Sequence, residues 1–352
     1  MPWSALPTRV EAPFDDVEMA VNWYGDPERC EGVVALIHDL FQSHHAAGPG
    51  GWWESMIGPG CAIDTDRWAV ACINHLGGTH GSTGPGTIDP ATGARFGSRF
   101  PKLGMTDLAS AQLATLDALG VRRLRGVIGA GFGGMVALTM ATLAPAQVDL
   151  IIPIATGTRA TRVQIMDAFH QTYAITCDPA YLGGDFDTGA PPIDGLALAY
   201  MLASTRATAS GDVDETPPHD GLDGPAGLTA LHPFESAAYW RARRFAESFD
   251  ATSMVSLLDA WRGFDLAASA DDRGLGGVFR PCRDQTYLIL GIDSDTRFYP
   301  KQQAALATTI KAAGIPMRRI TVSSDLGHEA WIREPHLFAP LIHDALDHAA
   351  RR

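Results

Sequence analysis

Apolar runs alternate with helical patterns along the first 155 residues and again after residue 281. Residues 19–25 alternate between apolar and polar, as in a half-exposed strand. The other predicted strands are 33–37, 68–73, 124–128, 150–154, 287–292 and 318–323. Helical patterns such as 106–119 and 335–349 lie between or after them. Strands that alternate with helices predict an α/β fold with a mostly parallel central sheet flanked by helices.

The strand signal disappears between residues 156 and 281, where helical patterns dominate. These patterns cover 161–173, 195–204, 237–248 and 253–261, and an acidic loop rich in Pro and Gly interrupts them at 211–227. We expect residues 1–155 and 282–352 to form one core and residues 156–281 to form a helical cap inserted into it.

The third continuous apolar strand leads into a glycine-dense turn and then a helix reaching about residue 143. Gly129, Gly131 and Gly134 satisfy the dinucleotide pattern G-x-G-x-x-G. Gly129 and Gly133 also fit the nucleophile elbow G-x-S-x-G, but Gly131 stands at its central position, where a serine is expected. The turn alone leaves both interpretations open.

Residues further along the chain favour the elbow. A dinucleotide site needs an acid after the next strand, whereas Asp149 precedes that strand and lies at the wrong end of the sheet. An elbow needs an acid and then a histidine, each after a strand, and Asp295 and His328 stand in those places. Separately, the former could be a helix N-cap and the latter a surface histidine. Together they predict a catalytic pair in which Asp295 orients His328 as a general base.

Composition limits the classes of partner and compartment. Forty acidic residues against 27 basic residues give a formal charge of −13, which argues against nucleic acid or an anionic membrane as partner. No run is long and apolar enough for a membrane span, and residues 1–16 lack the apolar segment of a signal peptide. The five cysteines are scattered, which favours the cytoplasm.

A metal site is considered because five histidines lie near predicted strand ends. They lack the spacing of a known metal motif, so no metal is expected. The five are His38, His44, His45, His75 and His80.

Several motifs resemble those of the homoserine O-acetyltransferase family. They lie at 57–60, 63–67, 76–78, 81–85 (Gly-Ser-Thr-Gly-Pro), 89–93, 249–253 and 293–295. The similarity runs from about residue 33 to the end. It implies an α/β-hydrolase fold with a helical cap, a homodimer formed through the cap, and transfer of an acetyl or succinyl group from a CoA thioester through an acyl-serine. Acyl-CoA would then be a substrate, and no cofactor is implied.

The resemblance also assigns roles to individual residues. It implies Asp295 as the acid, His328 as the base, and the backbone N–H groups of Leu40 and Phe132 as the oxyanion hole. The nucleophilic serine falls on Gly131, which leaves that position vacant, so the usual acyl-enzyme cannot form.

Two further positions depart from the family pattern and concern the acceptor. An arginine that would hold the homoserine carboxylate falls on Tyr200, and an aspartate that would meet the acceptor amine falls on Glu329. Both are candidate substrate-binding residues, and the acceptor is expected to differ from homoserine. Asp39, in the loop on the oxyanion side, is a third candidate; it could point inward as an acid or base, or lie in a solvated loop.

We therefore predict acyltransferase-like or hydrolase-like chemistry on a small carbonyl or acyl substrate. His328 and Asp295 would run it without an acyl-serine and without a covalent intermediate. Two alternatives stay open: a catalytically inactive binding protein of the same fold, and an acyltransferase inactivated by an engineered Ser→Gly substitution at Gly131.

Overall fold

The predicted strands assemble into one eight-stranded sheet. The computed structural model describes residues 3–4, 8–10, 17–186, 188–207, 232–268 and 274–350. The strands are β1 (Trp3–Ser4), β2 (Thr8–Val10), β3 (Val17–Met19), β4 (Val21–Tyr24), β5 (Gly32–Ile37), β6 (Ile57–Gly58), β7 (Ile63–Asp64), β8 (Trp68–Ile73), β9 (Leu124–Ala130), β10 (Val148–Ile154), β11 (Thr286–Ile292) and β12 (Met317–Val322).

The large sheet has the order β1-β4-β8-β5-β9-β10-β11-β12. Every neighbouring pair from β8 to β12 is parallel, whereas β1 and β4 join the edge as antiparallel strands. The prediction of a mostly parallel sheet flanked by helices is therefore confirmed.

The helices connect these strands or pack on them. They are α1 (Met105–Ala118), α2 (Gly131–Leu143), α3 (Arg162–Thr176), α4 (Ile193–Ala207), α5 (Pro233–Ser248), α6 (Ala251–Arg262), α7 (Gly274–Phe279), α8 (Pro300–Ala312), α9 (Ala330–Arg333) and α10 (Pro335–Ala350). None of the described helices has the length and apolarity that a membrane crossing requires.

Central strands are continuously apolar because both faces of the sheet are covered. Along β5, Val33, Ala35 and Ile37 belong to one buried cluster, and Val34 and Leu36 belong to the other. This alternation follows from the two-residue period of a strand. These two buried clusters hold the sheet between layers of helices, so the ends of its strands are held in fixed positions.

Among the described residues, five helices, α3 to α7, follow one another between β10 and β11, where the cap is predicted. In space α3 contacts α4 and α6, and α4 contacts α5. The predicted acidic loop at 211–227 lies outside the described residues. The boundaries of 156 and 281 for the cap stay a prediction.

The parallel strands bring distant residues to one edge of the sheet. Residues that follow β5, β9, β11 and β12 at their carboxyl ends lie at this edge, which is where parallel α/β sheets hold their ligands. The residues in question are Asp39, Gly131, Asp295 and His328.

Candidate active site

Gly131 begins α2 directly after β9, in the geometry of a nucleophile elbow. Its φ is +53°, in the left-handed region where a residue without a Cβ is not strained. The hydroxyl of Thr156 donates to its carbonyl oxygen over 2.7 Å. The strand, the sharp turn and the helix thus form as the G-x-S-x-G pattern requires.

Asp295 and His328 form the predicted pair. His328 Nδ1 lies 2.8 Å from Asp295 Oδ2, and both side chains are almost fully buried. Oδ1 of the aspartate accepts hydrogen bonds from the backbone N–H groups of Arg297 and Phe298, each at 2.8 Å. These bonds fix the carboxylate, which in turn fixes the imidazole with Nε2 facing the elbow.

The position that a serine would take at the elbow is filled by Asp39 and is not vacant. A Cβ built on Gly131 would lie 2.6 Å from Asp39 Oδ1 and 2.9 Å from His328 Nε2. The side chain of Asp39 is only 4 % exposed, so the alternative of a solvated loop aspartate is wrong. A carboxylate therefore stands between the elbow and the histidine.

The Asp39 carboxylate also receives one of the predicted oxyanion donors. The backbone N–H of Phe132 donates to Asp39 Oδ1 over 2.7 Å, at the N-terminus of α2, where the helix dipole favours an anion. Asp39 Oδ2 lies 3.7 Å from His328 Nε2 and 3.7 Å from Arg297 Nη1, beyond hydrogen-bond length. The other predicted donor, the amide of Leu40, belongs to a residue that is almost fully buried, and its role stays a prediction.

Arg297 was not predicted from the sequence. Its side chain is 5 % exposed, and its guanidinium carbon lies 5.2 Å from the ring centroid of Phe41 and 5.0 Å from that of Trp261. Nη2 is buried and has no hydrogen-bond partner among the described residues. Two aromatic rings thus stabilise a buried cation whose Nη2 donors are not used.

Positive and negative groups alternate at the site, and this arrangement determines the protonation states of His328 and Asp39. Burial lowers the pKa of His328, but the carboxylates of Asp295 and then Asp39 outweigh burial and raise it to about 9. Burial raises the pKa of Asp39, but the neighbouring His328 and Arg297 outweigh it and hold this pKa well below the usual range. Near neutral pH the site therefore holds an imidazolium beside a carboxylate, where the sequence had suggested a neutral base.

Tyr200 and Glu329 line the same small cavity as Asp39, Arg297 and His328. The cavity has a volume of about 50 Å³. The ring of Tyr200 stacks on that of Phe245 with centroids 4.4 Å apart. The structure thus brings both acceptor-side candidates to the predicted site, and their binding role stays a prediction.

A larger groove, of about 600 Å³, lies between residues 23–30 and residues 47–66. None of the candidate site residues lines it. We place the functional site at the smaller cavity because the buried groups Asp39, Arg297 and His328 converge there, whereas the ion pair of Arg29 with Asp26 at the larger groove is exposed.

His38 and His75, two of the five histidines near the strand ends, pack against each other. The rings of His38 and His75 lie 4.1 Å apart, and burial lowers the pKa of both, that of His75 to about 4. Among the described residues, no group of three or more His, Cys, Asp or Glu side chains is placed to hold a metal ion.

Asp149, the candidate ribose ligand of the dinucleotide interpretation, pairs with Arg123 and Arg125. It lies on β10, near the start of that strand and away from its carboxyl end. Asp149 is therefore not placed to bind the ribose of a dinucleotide at the glycine turn.

Comparisons with known proteins identify the family and the fold of this chain. The sequence profile of the family described as alpha/beta hydrolase fold matches residues 32–335. A homoserine O-acetyltransferase of Mycobacterium sp. (strain KMS) is 36 % identical over 358 residues, which cover 97 % of this chain and 92 % of the relative. A serine O-succinyltransferase of Stenotrophomonas maltophilia is 34 % identical, covering 90 % of this chain and 86 % of the relative.

Solved structures resemble the whole fold. The homoserine O-acetyltransferase from Bacillus anthracis superposes with a TM-score of 0.85 at 26 % identity, covering 95 % of this chain and 93 % of the other. Esterase E22 superposes with a TM-score of 0.86 at 24 % identity, covering 97 % and 98 %, which shows the shared fold alone.

Proposed function

Since this chain belongs to the homoserine O-acetyltransferase family of α/β-hydrolases, we propose that it transfers or hydrolyses small acyl groups at the Asp295–His328 pair without an acyl-serine. The observation that carries the proposal is the 2.8 Å contact of this buried pair, held against the elbow by two further backbone hydrogen bonds. Burying an ionisable pair is costly unless its geometry is good, so its retention favours a chemical role.

The acyl donor in this proposal is a CoA thioester or an activated ester, and the chemistry needs no cofactor. The acceptor is water or a hydroxyl compound other than homoserine. An aromatic ring, that of Tyr200, lines the cavity where a cation would hold the homoserine carboxylate, and Glu329 places a longer acid where the family has an aspartate. All five cysteines are free thiols, which supports the cytoplasm as the compartment.

Acyl release by Asp295 variants tests this function. We expect the native protein to release thiol from acetyl-CoA or succinyl-CoA, and Asp295→Asn to lower kcat by about 10⁴-fold, because an amide cannot hold His328 in its protonation state and orientation. The assay follows thiol release with a chromogenic disulfide.

Asp293→Asn is the matched control. Asp293 lies in the same turn but is bonded to Ser323 and Ser324 on the surface, so this variant is expected to keep native activity. Thiol release that is equal in the native protein and in Asp295→Asn would contradict the proposed function.

A binding protein without turnover is the second candidate. The observation that favours it is the Asp39 carboxylate on the Phe132 amide, since it occupies a donor that an acyl oxyanion would need. A native protein that binds an acyl-CoA in calorimetry but never releases thiol would support this candidate.

We also propose that the protein forms a homodimer through α3 and α4. These neighbouring helices expose seven large apolar side chains, an arrangement typical of an interaction surface. They are Val163, Ile165, Met166, Phe169, Tyr173, Leu198 and Leu202.

Charge reversal of this surface tests the dimer. Phe169→Glu is expected to shift the protein from dimer to monomer in analytical ultracentrifugation, because a buried unpaired carboxylate destabilises an apolar interface. Leu143→Glu, at an exposed apolar residue at the end of α2, is the matched control and should stay dimeric. A native protein that sediments as a monomer at all concentrations would contradict the dimer.

A further inference from the structure

We propose that Asp39 is the covalent nucleophile of this site and takes the place of the missing serine. Its carboxylate would attack the acyl carbon of a thioester or activated ester and form an acyl-aspartyl mixed anhydride. This inference rests on the proposed function and replaces the direct transfer expected from the sequence.

Asp39 lies where the side chain of a serine at the elbow would lie. Asp39 Oδ1 lies 2.6 Å from where a Cβ on Gly131 would be, so the carboxylate occupies the space of a serine side chain. Asp39 lies in the loop after β5, the strand next to β9, and its side chain reaches this space from there. The Phe132 amide holds Oδ1, which leaves Oδ2 turned towards His328 and the cavity.

Two positively charged groups lie beside the Asp39 carboxylate. His328 and Arg297 flank Asp39 Oδ2, each at 3.7 Å, and keep the pKa of this carboxyl well below its usual range despite burial. An ionised carboxylate is already a nucleophile and has no proton to lose, so it needs no general base for the attack. The Asp39 carboxyl is therefore ionised and ready to attack without a prior deprotonation.

His328 carries the proton that this reaction needs at its start. A serine triad starts with a neutral histidine, which takes the proton of the hydroxyl and then gives it to the leaving group. A carboxylate nucleophile supplies no proton, so the histidine must be protonated at the start. The pKa of His328, raised by Asp295 and Asp39 to about 9, meets this requirement near neutral pH.

The first step then balances. A bond forms between Asp39 Oδ2 and the acyl carbon, the carbon–sulfur bond breaks, and its electron pair leaves on sulfur. His328 Nε2 gives its proton to this thiolate. The products are free thiol, the mixed anhydride on Asp39 and a neutral imidazole.

The second step restores the site. Forming the anhydride removes the negative charge of Asp39, so one of the two carboxylates that keep His328 protonated is gone. The neutral imidazole can now accept the proton of water or an acceptor hydroxyl, whose oxygen bonds to the acyl carbon. The bond to Asp39 Oδ2 breaks, its electron pair returns to the carboxylate, and the imidazolium forms again.

The developing oxyanion still needs a hydrogen-bond donor, and Arg297 is placed to provide one. The Phe132 amide is bonded to Asp39, whereas Arg297 Nη2 is buried, unpartnered and part of a guanidinium that lines the cavity. A buried cation that already faces the reacting atoms stabilises negative charge more strongly than a solvated one. The cavity volume of about 50 Å³ restricts the acyl group to a short chain.

Trapping of the acyl intermediate with hydroxylamine tests the role of Asp39. The native protein is mixed with acetyl-CoA and hydroxylamine, digested and analysed by peptide mass spectrometry. We expect the mass increase of a hydroxamate on the peptide that carries Asp39. Turnover with neither a hydroxamate nor, after acid quenching without hydroxylamine, a mass increase of one acetyl group on that peptide would overturn the proposal and support direct transfer.

The variant Asp39→Asn is the kinetic arm of the same experiment. It keeps the side-chain shape and an oxygen for the Phe132 amide but removes the charge, and we expect thiol release to fall by about a thousandfold or more. Asp89→Asn, which neutralises another buried and hydrogen-bonded carboxylate, is the matched control and should behave as the native protein.

Comparison with Asp295→Asn separates the two proposals. Loss of thiol release in Asp295→Asn with retention in Asp39→Asn would leave the proposed function standing and reject Asp39 as nucleophile. A native protein that releases no thiol from acetyl-CoA or succinyl-CoA and stays unmodified would reject both.

Discussion

Gly131→Ser alone is expected to destabilise the protein without giving it a reactive serine. The new Cβ would lie 2.6 Å from Asp39 Oδ1 and 2.9 Å from His328 Nε2, both held in place by buried contacts. A φ of +53° adds backbone strain of roughly 1–3 kcal/mol for a residue with a side chain. Denaturant unfolding should therefore give a lower free energy of unfolding than that of the native protein.

Adding Asp39→Ala to Gly131→Ser is expected to reverse both effects. Removing the carboxylate clears the space for the serine side chain and frees the Phe132 amide for an oxyanion. It also lowers the pKa of His328, so the imidazole can accept the serine proton. The double variant should be more stable than the sum of its single changes, and intact-mass spectrometry should show one acetyl group after exposure to acetyl-CoA.

The single variants are the controls for this double variant. Gly131→Ser alone should stay unmodified at position 131, and Asp39→Ala alone should gain no acetyl group. Acetylation of the serine in Gly131→Ser to the same extent as in the double variant would mean that the Asp39 carboxylate does not hold this space.

Stability is expected to depend on pH through His328. Its pKa is about 9 in the folded protein, against 6.5 for a free histidine, so the folded state binds the proton more tightly. The resulting stabilisation, about 3 kcal/mol from this shift, is fully present below pH 6.5 and is lost as pH rises towards 9.

Comparison of the native protein with His328→Gln isolates this contribution. Other buried histidines, such as His75 with its lowered pKa, act in the opposite direction at acid pH and are common to both proteins. The difference in free energy of unfolding, from urea unfolding at several pH values, should shrink between pH 6.5 and pH 9. A difference that does not change with pH would show that His328 is not held as an imidazolium.

The sequence was sufficient for the fold because the strands carry their own signal. Both faces of the sheet are covered, so the central strands are apolar without interruption, and glycines mark the turn before α2. The order of elbow, acid and histidine then placed Asp295 and His328 correctly, since parallel strands deliver their following residues to one edge.

The sequence could not show which side chain occupies the space beside Gly131. Whether Asp39 points inward depends on the path of the loop after β5, which no local pattern encodes. Arg297 was missed for a similar reason, because its burial depends on Phe41 and Trp261 from distant segments. The sequence signal that could have indicated Asp39 and Arg297 is their charge. Asp39 lies near the elbow and Arg297 follows the acid by two residues, but the two form a pair only in the folded structure.

The arrangement of side chains around Gly131 also bears on the alternative of an engineered Ser→Gly substitution. A substitution that removes a serine leaves a space beside Gly131 that a neighbouring side chain can enter. A buried carboxylate fills that space, bonded to the Phe132 amide and flanked by two cations. A natural glycine and an engineered one are both compatible with this arrangement, so the alternative stays open.

The central claim is that the Asp39 carboxylate stands in the place of the serine, against a protonated His328. The most direct measurement is an NMR pH titration of the His328 ring in the native protein and in Asp39→Asn. The account predicts a midpoint near 9 in the native protein and a clearly lower midpoint in the variant. A native midpoint near 6.5 that Asp39→Asn does not move would contradict it.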